Sequence, residues 1–282
     1  MSKVALVSDS TANIPKNLIE KYQITVIPQI LVWDNETFLD GIDIQPDEFY
    51  TRLKTAKVMP TTSQASPKSF RDTYERLLEQ DYEILTVVVS AQLSGTMDSA
   101  IQAKETLPGA PIEIVDSCSV AMASGFQLLA AARAAETGAS LAECKAIAEK
   151  ARQHTGVVFA VDTLEFLHRG GRIGGGARLL GTALNLKPIL EVTGGRVEPV
   201  DRVRTRRKSI VRLLEIIEER IKDRQPIRLA TLHANAYEEA REILEIADRR
   251  FNSIESVFSE VSPVVGTHTG PRTVGLAYMA GM

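Results

Sequence analysis

Hydroxyl-bearing residues cluster four times in the first half of the chain, each time where an apolar run ends. Val4–Val7 runs into Ser8-Asp9-Ser10-Thr11, and Met59-Pro60 into Thr61-Thr62-Ser63. Leu85–Val89 runs into Ser90 and Ser94-Gly95-Thr96, and Ile112–Val115 into Asp116-Ser117-Cys118-Ser119. In an open α/β sheet, ligands bind in the crevice outside the carboxyl ends of the strands. Hydroxyls placed there, with the free backbone N–H groups of helix starts, form a surface that suits a small anionic head group.

Other chemistries find less support. Ser94 is not in a G-x-S-x-G elbow, so no strained strand-to-helix turn presents it as a nucleophile. The four histidines are His154, His168, His233 and His268, and none belongs to an H-E-x-x-H pair. No metal and no cofactor are expected. His268 stands out because Gly266-Thr267-His268-Thr269-Gly270-Pro271 sets it among glycines and hydroxyls, where it could touch a ligand. Asp9 and Asp116 sit where aspartates cap helices and turns rather than where a carboxylate pair shares acid and base duty. Gly170–Gly176 lacks the spacing of a phosphate loop, and no Gly-Lys-Ser/Thr occurs. The turn instead holds Arg169 and Arg172 as a docking patch, which Arg202, Arg204, Arg206, Arg207 and Lys208 extend.

These residues need elements to position them. With 282 residues, the chain is long enough for two domains. Its 44% apolar and 24% charged content is ordinary for a soluble protein, and a net charge of −3 gives no case for bulk nucleic-acid binding. No window approaches the apolar length of a membrane span, the N-terminus lacks the regions of a secretory signal, and the two cysteines suit a reduced, cytoplasmic protein. Residues 1–155 alternate strands (4–8, 24–33, 83–90, 111–116) with helices (15–22, 46–56, 67–80, 95–106, 118–137, 140–154), which predicts a parallel sheet covered by helices. From 156 to 282 the pattern changes to a mixed α/β domain. It begins with strand 157–161, a short helix and the Gly-rich turn, then a hairpin of 187–193 and 196–203 through Gly194-Gly195. Helices at 206–222 and 236–250 and strands at 227–232, 254–260 and 273–279 complete it. Pro263 to Pro271 is expected to be a loop returning to the cleft between the domains.

The ordered set of motifs resembles the DegV family, which includes the fatty-acid-binding subunits of bacterial fatty acid kinase. The resemblance runs nearly end to end. Its carriers include Val7-Ser8-Asp9-Ser10-Thr11-Ala12, Val26-Ile27-Pro28, Asp40-Gly41-Ile42-Asp43, Pro60-Thr61-Thr62-Ser63-Gln64 and Ser90-Ala91-Gln92-Leu93-Ser94-Gly95-Thr96. In the second half they include Asp162-Thr163-Leu164, Gly170-Gly171-Arg172-Ile173-Gly174, Leu186-Lys187-Pro188-Ile189 and the Gly266–Pro271 turn. Two positions depart from it: Ala65 stands where the family often has proline, and Arg272 where it commonly has glycine.

The resemblance implies a two-domain DegV-like α/β fold, with a parallel-sheet N-terminal domain, a mixed-sheet C-terminal domain and the ligand between them. That ligand is a long-chain fatty acid in an apolar tunnel. By motif match, Thr62 and Ser94 would hydrogen-bond its carboxylate, His268 would approach from the second domain, and Thr61, Ser63 and Gly95 would complete the pocket. Hydroxyl and backbone donors would hold the carboxylate without a permanent cation, and His268 would add a proton-dependent positive charge. A partner ATP-dependent fatty acid kinase subunit would phosphorylate the carboxylate to an acyl phosphate for phospholipid synthesis, docking at Arg169, Arg172 and Arg202. The chain would then be a binding subunit rather than an enzyme, with no transmembrane segment and only transient contact with a membrane surface. Two other classes are weighed against it: an acyl hydrolase using Ser94 and His268, and a regulatory adaptor recognising protein or nucleic acid through Arg202–Lys208.

Overall fold

A computed structural model describes residues 3–179 and 186–282. In chain order the first part runs β1 (Lys3–Asp9), α1 (Lys16–Lys21), β2 (Thr25–Ile27), β3 (Ile30–Trp33), β4 (Glu36–Leu39), α2 (Pro46–Leu53) and β5 (Thr61–Ser63). It continues with α3 (Pro67–Leu78), β6 (Tyr82–Val88), α4 (Thr96–Glu105), β7 (Ile112–Asp116), α5 (Ala121–Glu136) and α6 (Leu141–Ala151). The second part holds β8 (Thr155–Ala160), α7 (Glu165–Arg169), β9 (Lys187–Thr193), β10 (Arg196–Val203), α8 (Arg206–Ile221) and β11 (Ile227–His233). It closes with α9 (Tyr237–Phe251), β12 (Glu255–Val257), α10 (Pro263–Thr269) and β13 (Val274–Ala280).

The fold is α/β. β2-β1-β6-β7 form a wholly parallel sheet, in which Leu6 pairs with Leu85 and Leu85 with Glu113. β10-β9-β8-β13-β11-β12 form a mixed sheet that is antiparallel except between β11 and β12. α5 packs on strands of both sheets, β1 and β6 on one side and β8, β11 and β13 on the other. Its alanine-rich sequence is buried from Ala121 through Ala132. A mainly apolar helix is what that position demands, because over this stretch no side of it meets water. The largest apolar cluster accordingly runs from Leu6 and Leu85 through Phe126 to Phe159, Leu232 and Ala277.

Three expectations change. The run 24–33 is not one strand: it breaks at Pro28, which cannot donate to a ladder. β2 joins the parallel sheet, while β3 joins a separate antiparallel sheet of order β4-β3-β5. Thr61-Thr62-Ser63 is therefore an edge strand, not a turn leading directly into a helix. Residues Pro263–Thr269 form helix α10 rather than a loop. Its β-branched sequence is a poor helix former, yet Thr267 and Thr269 hydroxyls bond back to the carbonyls of Pro263 and Val265, and all of α10 except His268 is buried. The Gly194-Gly195 hairpin is as expected, with φ of 57° and 79° in its two-residue turn. Among the described residues no helix is long and apolar enough to cross a membrane.

Candidate functional site

A largely apolar cavity is lined from both parts of the chain. Val89, Leu93 and Val120 face it from the first part, and Phe159, Val192, Val197 and Leu232 from the second. At one end the wall turns polar, with Thr62, Ser94, Gln29, Arg172 and His268. An apolar tail and a small anionic head would each meet matching surface there.

Local structure places each polar group. β5 alternates sides, so Thr62 turns inward opposite Leu31 while Thr61 and Ser63 are exposed. Ser94 precedes Gly95, which caps the N-terminus of α4. A Cβ on Gly95 would stand 3.0 Å from the Gln64 amide, which lines the cavity. α10 carries His268 across to β5, and Thr62 Oγ1 lies 2.7 Å from His268 Nε2. Gly170 permits this approach: any Cβ there would collide with His268 Nδ1.

Of the six proposed head-group residues, Thr62, Ser63, Ser94 and His268 share the cavity wall. Thr61 lines an adjoining pocket, and Gly95 lies behind Gln64. Apart from Thr11, which lines the cavity, the other hydroxyl clusters serve the scaffold. Ser8 donates to the Val87 carbonyl and Ser90 to the Gly195 carbonyl. Asp9 accepts from the N–H groups of Thr11 and Val89, and Asp116 from those of Ala91 and Cys118.

The charge at the site differs from expectation in two ways. His268 is held neutral near pH 7, because burial and then the Arg172 guanidinium push its pKa down to about 4. A protonated imidazole would have to shed its hydration beside an existing cation. Arg172 itself is that permanent cation. Its Nε donates to the Leu93 carbonyl at 3.0 Å and Nη1 to the Gly170 carbonyl at 2.7 Å, so it is fixed by neutral acceptors. Thr62, Arg172 and His268 line both the cavity and the adjoining pocket, where Arg169 also lies. Arg169 is exposed and pairs with Glu165, and Arg202 is exposed on β10.

Ser94 and His268 are each engaged elsewhere: Ser94 Oγ lies 2.8 Å from Thr96 Oγ1, and the imidazole is bonded to Thr62. A Ser–His nucleophile needs the two in mutual hydrogen-bond reach. Arg272 adopts a left-handed φ of 63°, the backbone a glycine takes most easily, and its guanidinium pairs with Asp162 at 3.3 Å. Gln29 escaped sequence reasoning, although it does interrupt the apolar run Val26-Ile27-Pro28-Gln29-Ile30-Leu31.

The chain has relatives among known proteins along its whole length. A family model described as an uncharacterised protein of the DegV family, COG1307, matches residues 3–281. A DegV domain-containing protein of Streptomyces coelicolor is 39% identical over 97% of both chains. Among solved structures, a fatty-acid-binding DegV family protein from Thermus thermophilus superposes with a TM-score of 0.93 at 33% identity, covering 99% of each chain. DegV of Bacillus subtilis, described as a fatty acid binding protein, superposes with a TM-score of 0.90 at 32% identity, covering 99% of this chain and all of that one.

Proposed function

This chain belongs to the DegV family, and on that footing we propose that it binds a long-chain fatty acid and offers the carboxylate to an ATP-dependent kinase. The observation that carries the proposal is the cavity itself: an apolar body ending in Thr62, Ser94, Arg172 and His268. Burying an acyl chain is worth about 0.8 kcal/mol per CH₂, several kcal/mol in all after ordering costs. A buried carboxylate is costly unless hydrogen-bonded. Two hydroxyls with a guanidinium nearby meet that need. Relatives described as fatty-acid-binding support the ligand class.

In this proposal the chain is a carrier without catalytic machinery of its own, acting in the cytoplasm. Thr62, Arg172 and His268 line both the acyl cavity and the adjoining pocket, and in this reading the phosphoryl donor reaches the head group through that pocket. Arg169 and Arg172 would meet the kinase there, with Arg202 as a further contact, and the acyl phosphate would pass on to phospholipid synthesis.

Native mass spectrometry of the purified chain, followed by organic extraction, tests the carrier role. A stoichiometric fatty acid is expected, and Thr62→Val with Ser94→Ala should weaken it about 100- to 10,000-fold, the loss for two hydrogen bonds to a charged group. A clean unliganded mass that stays unchanged after incubation with palmitic acid would overturn it.

A further inference from the structure

The hydroxyl of Ser94 belongs to a hydrogen-bonded chain whose direction the fold determines. Gln29 is almost fully buried in the connection between β2 and β3. Its Oε1 accepts from the backbone N–H of Ala65 at 2.8 Å, and its Nε2 donates to Thr96 Oγ1 at 2.8 Å. A backbone N–H can only donate, so the amide oxygen must face Ala65 and the NH₂ must face Thr96. Thr96 is fully buried, and its Oγ1 is shared between Gln29 Nε2 and Ser94 Oγ. A hydroxyl has one proton and two acceptor sites. With Nε2 donating inward, the Thr96 proton finds its acceptor at Ser94 Oγ. The opposite arrangement would leave a buried hydroxyl proton without an acceptor, which is expensive. Ser94 accepts from Thr96, so its own proton is free to point into the cavity it lines.

We propose that Gln29 is a positioning residue that sets this direction, Ala65 N–H to Gln29 to Thr96 to Ser94, so that Ser94 presents an O–H donor and favours a head group that can only accept. An ionised carboxylate is such a group, whereas an alcohol can donate or accept and is indifferent to the direction. The inference rests on the cavity being a fatty-acid site. It adds a residue of the cavity wall that decides, through Thr96, which head group Ser94 can serve. A position built to donate loses much of its preference when the donor is turned round, because two acceptors then face each other.

The experiment compares palmitic acid with 1-hexadecanol by competition against a fluorescent C16 probe, at one pH, for the wild type and Gln29→Glu. The ionised carboxylate that this substitution introduces accepts from Thr96, Thr96 then accepts from Ser94, and the Ser94 proton is withdrawn from the cavity. Palmitic acid should bind about 10- to 100-fold more weakly, and hexadecanol within about twofold of the wild type. The same comparison in a Ser94→Ala background separates direction from charge. There Gln29→Glu should cost palmitic acid little further, because the group it controls is gone.

A palmitic acid loss that persists undiminished in Ser94→Ala would overturn the proposal, since the introduced carboxylate would then act by charge alone. Equal losses for both probes would also overturn it, since Gln29 would then be only structural. If melting shows Gln29→Glu to be unfolded, Gln29→Met removes the donor without adding charge. Thr96 then still has only Ser94 to donate to, so the acid-to-alcohol ratio should stay within about twofold of the wild type, and a selective loss of palmitic acid would overturn the proposal. A wild type that binds neither probe is a different result, which removes the fatty-acid site itself.

Discussion

The two ends of α10 sit in opposite chemical surroundings. At its start, the Asp40 carboxylate is almost fully buried and accepts from the Val264 N–H at 3.1 Å and from Ser10 Oγ at 2.6 Å. Burial is the main force raising the Asp40 pKa, with its hydrogen bonds pulling the other way. Glu260 lines the same acidic cleft, its pKa pushed up to about 7 by burial and then by Asp47. At the other end, His268 is neutral and meets Thr62, with Arg172 nearby. The fold has built buried carboxyl groups into one end and arranged uncharged donors and a cation at the other. Burial at the first end disfavours carboxylate charge, and the donors at the second are those proposed to hold a ligand's carboxylate. One short helix thus joins a structural carboxyl site to a proposed ligand site.

The sharpest way to break this division is Asp40→Ala. It leaves the Val264 N–H and the Ser10 hydroxyl without their buried acceptor, at about 1–3 kcal/mol each. A loss of roughly 2–5 kcal/mol in urea unfolding is expected, while palmitic acid affinity should change far less at saturating folded protein. If affinity falls as steeply as stability, the two ends of α10 are not separable.

Gly170→Ala tests the opposite end. Gly170 has an ordinary φ of −74°, so alanine meets no backbone strain there. Its methyl would instead displace the His268 ring and break the bond to Thr62. Palmitic acid affinity should drop about tenfold, the worth of roughly one hydrogen bond, with a smaller change in stability. Retained affinity would mean that the Thr62–His268 contact does not shape the head-group site. Together the two variants should show a crossed pattern, stability lost at one end and affinity at the other.

The parts of the molecule legible in the sequence are those with local signatures. The strands at 4–8, 83–90 and 111–116 are long apolar runs, and they appear as β1, β6 and β7 within a few residues. The start of α3 is marked by Ser66-Pro67, and Ser66 does accept from the Ser69 N–H. The small sheet was not legible, because Glu36-Thr37-Phe38-Leu39 and Thr61-Thr62-Ser63 are short and largely polar. Only pairing with β3 makes them strands. α10 was hidden for a related reason, since its stability comes from Asp40, 224 residues away, and from burial rather than from helix propensity. The site was half legible. Hydroxyl chemistry and the setting of His268 could be read from residue types, but the meeting of Thr62 with His268 spans 206 positions. Arg172 was placed on the surface as a docking residue because a glycine turn suggests exposure. Its carbonyl bonds turn it toward the cavity.

The smallest expected effect is also the most specific to the contrast, because protons should act on the two ends with opposite sign. His268 titrates at about 4 in the folded chain, against about 6.5 when unfolded. Between those values the unfolded state binds more protons, so this group's contribution to stability is lost as pH falls from 6.5 toward 4. Glu260 titrates at about 7 when folded and near 4.5 when unfolded. Over that span the folded state holds the extra proton, so its contribution is lost as pH rises. Difference curves of melting temperature against pH isolate each group. The wild type minus His268→Gln should become less favourable as pH falls below 6.5 and be level above it. The wild type minus Glu260→Gln should become less favourable as pH rises from 4.5 to 7, then level off. A level His268 curve throughout would mean that its imidazole takes up protons as freely in the folded chain as in the unfolded one. The neutral end of α10 would then be an acid-charged end, and the contrast between its two termini would hold only at neutral pH.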